Sequence, residues 1–107
     1  MKESELVRSI LDYLTAKRIF HYRQNSGAFM SQNANGSKGF YRFGPNGAPD
    51  IICVPHEGPH RGVYTGIEAK VGYNKQSPAQ VAFQEALEAS GGRYFLIRDL
   101  TELQKIL

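Results

Sequence analysis

Apolar residues recur every three or four positions in two parts of the chain, and this period predicts two amphipathic helices. The first covers residues 4–18, and its apolar stripe comprises Leu6, Val7, Ile10, Leu11 and Leu14. The second begins after Ser77, because serine caps a helix, Pro78 suits its first turn and Gln80 can complete a capping box. We expect it to end at Gly91-Gly92. Its predicted buried face comprises Ala79, Ala82, Phe83, Ala86 and Leu87.

Shorter apolar and aromatic runs predict strands at residues 19–23, 50–54, 63–70 and 93–98. Between the first two, residues 28–48 are rich in glycine and asparagine, and we expect them to form a hairpin or an ordered loop. A second capping box, from Asp99 to Glu102, opens a short C-terminal helix. The order of elements is helix, three or four strands, helix, strand and helix. It predicts an α/β fold with a mixed central sheet flanked by helices.

The composition is typical of one globular domain, with 107 residues, of which 41% are hydrophobic and 21% charged. Residues 1–107 contain no internal repeat or linker, so we expect a single domain. No apolar run reaches the roughly 20 residues of a membrane span, and the N-terminal segment lacks the apolar core of a signal peptide. The one cysteine, Cys53, is expected to be a buried hydrophobe. These features predict a cytoplasmic location.

Two short motifs carry the candidate chemistry. Asp50 follows a glycine-alanine-proline turn and precedes an apolar run, and Glu68 lies two positions before Lys70. Side chains alternate along a strand, so Glu68 and Lys70 share one face. If the two strands are neighbours, Asp50 and Glu68 converge, and carboxylates about 5 Å apart repel by roughly 3 kcal/mol at an effective dielectric near 20. A divalent cation would offset this repulsion, so the pair is a candidate site for Mg²⁺ or Mn²⁺.

Simpler interpretations exist for these residues. Glu68 and Lys70 could be a solvated pair on an exposed strand, with Asp50 merely following a turn proline. His56 and His60 also have a spacing that some zinc sites use. They flank a glycine-proline pair that excludes a helix, and no cysteine or third histidine lies near, so we expect no zinc there.

Taken together, the motifs and the element order resemble the PD-(D/E)XK nuclease superfamily and, within it, a stand-alone member of the VRR-NUC family. The resemblance covers nearly the whole chain. It includes an acidic N-terminal helix, residues 23–27 (RQNSG), the turn at 47–50, Glu68-Ala69-Lys70, and the Gln80 helix before Gly91-Gly92. It implies a restriction-endonuclease-like fold and a metal-dependent DNA endonuclease that hydrolyses phosphodiester bonds.

The resemblance also implies a role for each site residue. Asp50 and Glu68 would bind Mg²⁺ or Mn²⁺ through carboxylate oxygens, and the backbone carbonyl of Ala69 would contribute a further oxygen. Lys70 would position the attacking water and favour its deprotonated form. Gln80 would face the site as a catalytic residue, although its place in the capping box is an equally good explanation.

A further catalytic acid is expected from the first helix. At 100° per residue, Glu3 lies on the same face as the apolar stripe, whereas Glu5 points nearly opposite. A carboxylate that reaches the sheet should lie on the packed face, so Glu3 is preferred. Alternatively, both acids simply interact with the N-terminal helix dipole.

The basic residues suggest where DNA would bind. The net charge of +3 and the pI near 9.1 give mild support for a polyanionic partner. Lys38 and Arg42 lie among aromatic residues and are candidate DNA contacts, although that segment could equally pack on the core or form a dimer contact. Lys75 is a third candidate, although exposed lysines are usually only solvated.

Small families of this kind have been linked to cutting branched DNA, including four-way junctions, as homodimers. The resemblance therefore implies a homodimer with Holliday-junction-resolvase-like activity. Aromatic residues expected at its interface or DNA groove are Phe29, Phe40, Tyr41 and Phe43. The alternatives are a nicking or duplex endonuclease without junction preference, or a non-catalytic nucleic-acid-binding module. Clustered carboxylates argue against the last alternative, because without a metal they would repel phosphate.

Overall fold

A computed structural model of the chain describes residues 1–24 and 45–107 and the backbone of residues 28–32 and 38–42. Three helices and six strands follow one another in these parts of the chain. In order they are α1 (Glu3–Ala16), β1 (Phe20–Arg23), β2 (Ala28–Gln32), β3 (Lys38–Arg42), β4 (Ile51–Val54), β5 (Thr65–Ala69), α2 (Pro78–Ala89), β6 (Arg93–Ile97) and α3 (Leu100–Gln104).

The central sheet has four strands in the order β1-β4-β5-β6. Its first two pairings are antiparallel, whereas β5 and β6 run parallel, with α2 in the connection between them. This arrangement confirms the prediction of a mixed sheet flanked by helices. Five strands, rather than three or four, lie between α1 and α2, because the segment at 28–48 contains β2 and β3, which pair in antiparallel.

The core lies between one face of the sheet and helices α1 and α3. Four of the five stripe residues of α1 are buried there, as the helical period predicts, and Leu11 is partly buried. Side chains from three strands and from α3 complete the core. The buried residues of this core are Leu6, Val7, Ile10, Leu14, Ile19, Ile51, Cys53, Ile67, Ala69, Ile97 and Leu103. Cys53 is fully buried, as expected, and desolvation raises the pKa of its thiol to about 11.

Helix α2 is less buried than its sequence predicts. Its capping box forms as expected between Ser77 and Gln80. However, Ala82 and Ala86 are exposed, and no residue of α2 is fully buried. The prediction that both alanines are buried was therefore wrong. The reason is that α2 packs against β6, the edge strand, instead of crossing the middle of the sheet.

Within the described parts of the chain, no helix combines the length and apolar character needed to cross a membrane.

Candidate metal centre

Three acidic side chains meet at one end of the central sheet. Strand β4 begins directly after Asp50, and its antiparallel register with β5, which pairs Ile51 with Ile67, places that residue beside the end of β5. Glu68 is the second-last residue of β5, and Glu3 is the first residue of α1. One carboxylate oxygen from each of the three acids lies within 4.8 Å of the other two. Strand pairing therefore brings together residues that are far apart in sequence.

Glu68 is almost completely removed from solvent. It is 3% exposed, because β5 is an inner strand and all five of its residues are buried. The alternative of a solvated pair on an exposed strand is therefore wrong for Glu68. Desolvation by burial, followed by repulsion from Asp50 and a hydrogen bond with it, raises the pKa of Glu68 to about 8, whereas the charge of Lys70 acts in the opposite direction. Near neutral pH this carboxyl group largely keeps its proton.

Backbone contacts hold Asp50 in place on two sides. The amide of Ala69 donates a hydrogen bond to Asp50 Oδ2 over 2.8 Å, and the main-chain oxygen of Asp50 accepts one from the Gln24 amide over 2.7 Å. The N–H and C=O groups of one strand residue point to the same side. The carbonyl of Ala69 therefore also faces the side on which Asp50 lies.

Two glycines allow the turn before β4 to approach its neighbours. Gly47 has φ of +79°, and a Cβ atom there would overlap the backbone carbonyl of Ala79 in the first turn of α2. A Cβ atom on Gly66 would lie 2.7 Å from Pro49 Cγ. Larger side chains at either glycine would push the turn away from α2 or β5. The turn lies between them only because both positions lack a side chain.

Gln80 joins the helix cap to the acidic cluster. Its side-chain oxygen accepts a hydrogen bond from the Ser77 amide over 2.8 Å, while its Nε2 donates to Glu68 Oε1 over 2.9 Å. The predicted capping role of Gln80 is thus confirmed, and the same side chain faces Glu68, while its catalytic role stays a prediction. Because the cap uses the carbonyl oxygen, the NH₂ group must face Glu68.

Tyr94 also contacts the cluster, although no motif in the sequence indicates it. Its hydroxyl donates to Glu68 Oε2 over 3.4 Å, and its side chain is 5% exposed. Burial raises the pKa of Tyr94, which keeps the hydroxyl protonated as a donor. The strand at 93–98 was predicted, but the parallel register that pairs Tyr94 with Gly66, two residues before Glu68, leaves no local signal in the sequence.

The structure also places three further predicted site residues, which are Lys70, Glu3 and Lys75. Lys70 follows β5 directly, and its positive charge acts to lower the pKa of Glu68. Glu3 is partly buried within the cluster, whereas Glu5 is exposed, in agreement with the helical-face argument. Lys75 is exposed in the segment before α2.

The predicted DNA contacts of the hairpin cannot be placed as side chains. Lys38 and Arg42 are the first and last residues of β3, and their side chains fall outside the described part of the chain. The same holds for the aromatic side chains predicted at a dimer interface or DNA groove. Phe29, Phe40 and Tyr41 lie in β2 and β3, and Phe43 lies outside the described residues.

His56 and His60 lie far from the acids, in the exposed turn after β4 at the opposite end of the sheet. There they line a concavity of about 230 Å³ together with Lys17 and Arg93.

The donor set of the acidic cluster fits a hard divalent cation. It offers three carboxylate oxygens and a backbone carbonyl, and oxygen donors suit Mg²⁺ and Mn²⁺ better than zinc. One carboxylate oxygen of each acid lies within 4.8 Å of the other two, so the three acids are close enough to bind one ion together.

No protein-family model matches the chain, and no curated protein is significantly similar to it.

Proposed function

We propose that the protein is a Mg²⁺- or Mn²⁺-dependent endodeoxyribonuclease of the PD-(D/E)XK type. The observation that carries this proposal is the burial of Glu68 beside Asp50 and Glu3. A buried carboxylate next to two others is costly unless a proton or a cation neutralises it. Packing alone does not require this arrangement, since an apolar residue would fill the same space at lower cost.

Asp50, Glu68 and the carbonyl of Ala69 would hold the metal ion. When bound, the ion supplies a positive charge that lowers the pKa of water and offsets the negative charge that develops on a phosphodiester. The hydrogen bonds from Ala69 to Asp50 and from Gln80 to Glu68 orient these carboxylates before any ligand arrives. Preorganisation of this kind reduces the side-chain freedom that is lost on binding.

Lys70 and Glu3 would act on the attacking water. Lys70 follows Glu68 by two residues, so its Nζ projects from the same face and can hold the water by a hydrogen bond. Its positive charge also favours the deprotonated form of that water. Glu3, which reaches the cluster from α1, would accept a second hydrogen bond and fix the direction of attack. Tyr94 would act indirectly, by keeping Glu68 in position.

The cluster argues against a purely binding function. Three acids at one end of the sheet would repel a phosphate backbone, so a DNA-binding module would lose affinity by keeping them. With a metal ion bound, the same acids become part of an attractive site. The geometry therefore favours a metal-dependent enzyme over a non-catalytic nucleic-acid-binding module.

Branched DNA and a homodimer form the finer part of the proposal, which rests on the resemblance to the VRR-NUC family. The described residues of one chain contain a single cluster of three acids, and symmetric cleavage of a four-way junction needs two sites. A C2 dimer supplies two equivalent sites through one interface. The alternative is a nicking or duplex endonuclease without junction preference.

A panel of end-labelled substrates tests both levels of the proposal. Single strand, duplex, flap and four-way junction would be incubated with Mg²⁺, with Mn²⁺ or with EDTA. We expect metal-dependent cleavage by the wild-type protein and none by Asp50→Asn, which keeps the size of the side chain but removes its charge. Equal cleavage of duplex and junction by a monomer in light scattering would exclude the junction-specific dimer. If none of the substrates is cleaved, the proposed nuclease activity is contradicted.

A further inference from the structure

A concavity with two arginines lies beside the acidic cluster. It has a volume of about 390 Å³, and it lies between α1 and the end of β1. Its lining comprises Ser4, Glu5, Val7, Arg8, Leu11 and Arg23. None of these residues belongs to the metal centre, but Ser4 is adjacent in sequence to Glu3, which does.

The strand pairing explains why Arg23 lies at this end of the sheet. Arg23 pairs with Ile51, the residue after Asp50, and the following amide of Gln24 donates to the Asp50 oxygen. Two positions before Arg23 on the same face of β1, His21 contacts the Thr15 hydroxyl of α1 over 3.3 Å. Because side chains alternate, Arg23 also projects to the α1 side. It therefore lies at the same end of the sheet as Asp50, but on the face that α1 covers, whereas Glu68 projects to the opposite face, towards Gln80 of α2.

Arg8 approaches the same concavity from the helix. It lies five residues after Glu3, which is about 7.5 Å along the axis of α1. Both arginines are exposed, and guanidinium groups match the geometry of phosphate oxygens in bidentate contacts.

We propose that Arg8 and Arg23 bind the phosphate backbone of the DNA substrate close to the scissile position. The inference rests on the proposed function, because the acids define where the scissile phosphate lies. The concavity is open and adjoins the cluster, which suits a continuous polyanion. Glu5 also lines it and opposes phosphate binding, but an exposed carboxylate has a small effect.

The salt dependence of DNA binding tests this inference. Binding of a fluorescein-labelled four-way DNA junction would be measured by anisotropy in EDTA over a series of KCl concentrations. Each phosphate contact contributes nearly one unit to the slope of log K against log salt. We expect Arg8→Ala and Arg23→Ala each to reduce that slope by about 1. Glu5→Gln should tighten binding without reducing the slope.

Arg61→Ala is the matched control, because Arg61 is an exposed arginine in the turn at the opposite end of the sheet. Its slope should equal that of the wild type. If Arg8→Ala and Arg23→Ala also keep the wild-type slope, or if the wild type does not bind DNA, the inference is wrong. Thermal melting of all variants checks that the fold is intact.

Cleavage measured in parallel separates this inference from the proposed function. In steady state, loss of either arginine should raise KM with little change in kcat, because the contact is equally strong in the ground and transition states. A wild-type enzyme that cleaves, with unchanged slopes for both variants, would contradict only the phosphate subsite. Reduced slopes without any cleavage in Mg²⁺ or Mn²⁺ would contradict only the proposed nuclease activity.

Discussion

Gln80 Nε2 donates a hydrogen bond to Glu68 Oε1 over 2.9 Å, and this contact connects the first turn of α2 to the buried end of β5. The carbonyl of the same amide accepts from the Ser77 backbone. One side chain therefore both caps a helix and orients an acid of the acidic cluster. Its position also requires the close approach of Gly47 to the same turn of α2.

The two roles of Gln80 can be separated by mutation. Ser77→Ala removes the hydroxyl of the cap and should cost about 1 kcal/mol of the free energy of unfolding. It keeps the backbone amide that orients Gln80, so cleavage should persist. Gln80→Ala should lower the cleavage rate as well as stability. Denaturation and single-turnover kinetics on both variants test this, and equal rates for the two would leave Gln80 with only a capping role.

The raised pKa of Glu68 predicts how stability depends on pH without metal. The ordinary pKa of glutamate is about 4.3, and in the folded protein it is about 8. Between these values the folded state binds more protons than the unfolded state, so the free energy of unfolding falls as pH rises and levels off above about 8. Glu68→Gln removes this fall in the free energy of unfolding, which we expect to be of the order of a few kcal/mol.

Urea denaturation in EDTA at a series of pH values measures this effect. The stability of Glu68→Gln relative to the wild type should increase from about pH 4.3 to about pH 8. Glu88→Gln on the exposed face of α2 is the matched control, and its profile should parallel that of the wild type. A Glu68→Gln profile that also runs parallel would contradict the pKa assignment.

Lys70→Ala should reduce cleavage strongly while leaving metal affinity nearly unchanged. The proposed role of Lys70 is to position and activate water, and groups that act in this way contribute roughly 10²–10⁴-fold in rate. Calorimetric titration with Mn²⁺ and cleavage kinetics at saturating metal distinguish this from a ligand role. Weakened metal binding with an unchanged maximal rate would assign Lys70 to metal binding instead.

Glu3→Gln should impair cleavage more than Glu5→Gln. Glu3 belongs to the acidic cluster, whereas Glu5 is exposed and lines the neighbouring concavity. The two substitutions remove the same charge from the same helix turn, so a shared effect on the helix dipole cancels in the comparison. Equally small effects on kcat would place both acids outside the catalytic site.

Much of the fold and part of the site follow from local patterns in the sequence. The period of α1, the capping boxes at Ser77 and Asp99, and the apolar runs of β4 and β6 predict elements whose bounds agree with the structure within a few residues. Local chemistry also indicated Asp50 and Glu68 as a pair, because each acid adjoins an apolar strand. Such signals depend only on neighbours in sequence.

The tertiary structure decided what depends on register and packing. The contact of Tyr94 with Glu68 requires the parallel register of β5 and β6, which no local pattern specifies. The exposure of Ala82 follows from the position of α2 over an edge strand, although its helical period resembles that of a buried helix. The pKa of Glu68 is likewise a tertiary property, because burial and a nearby carboxylate both arise only when distant segments meet.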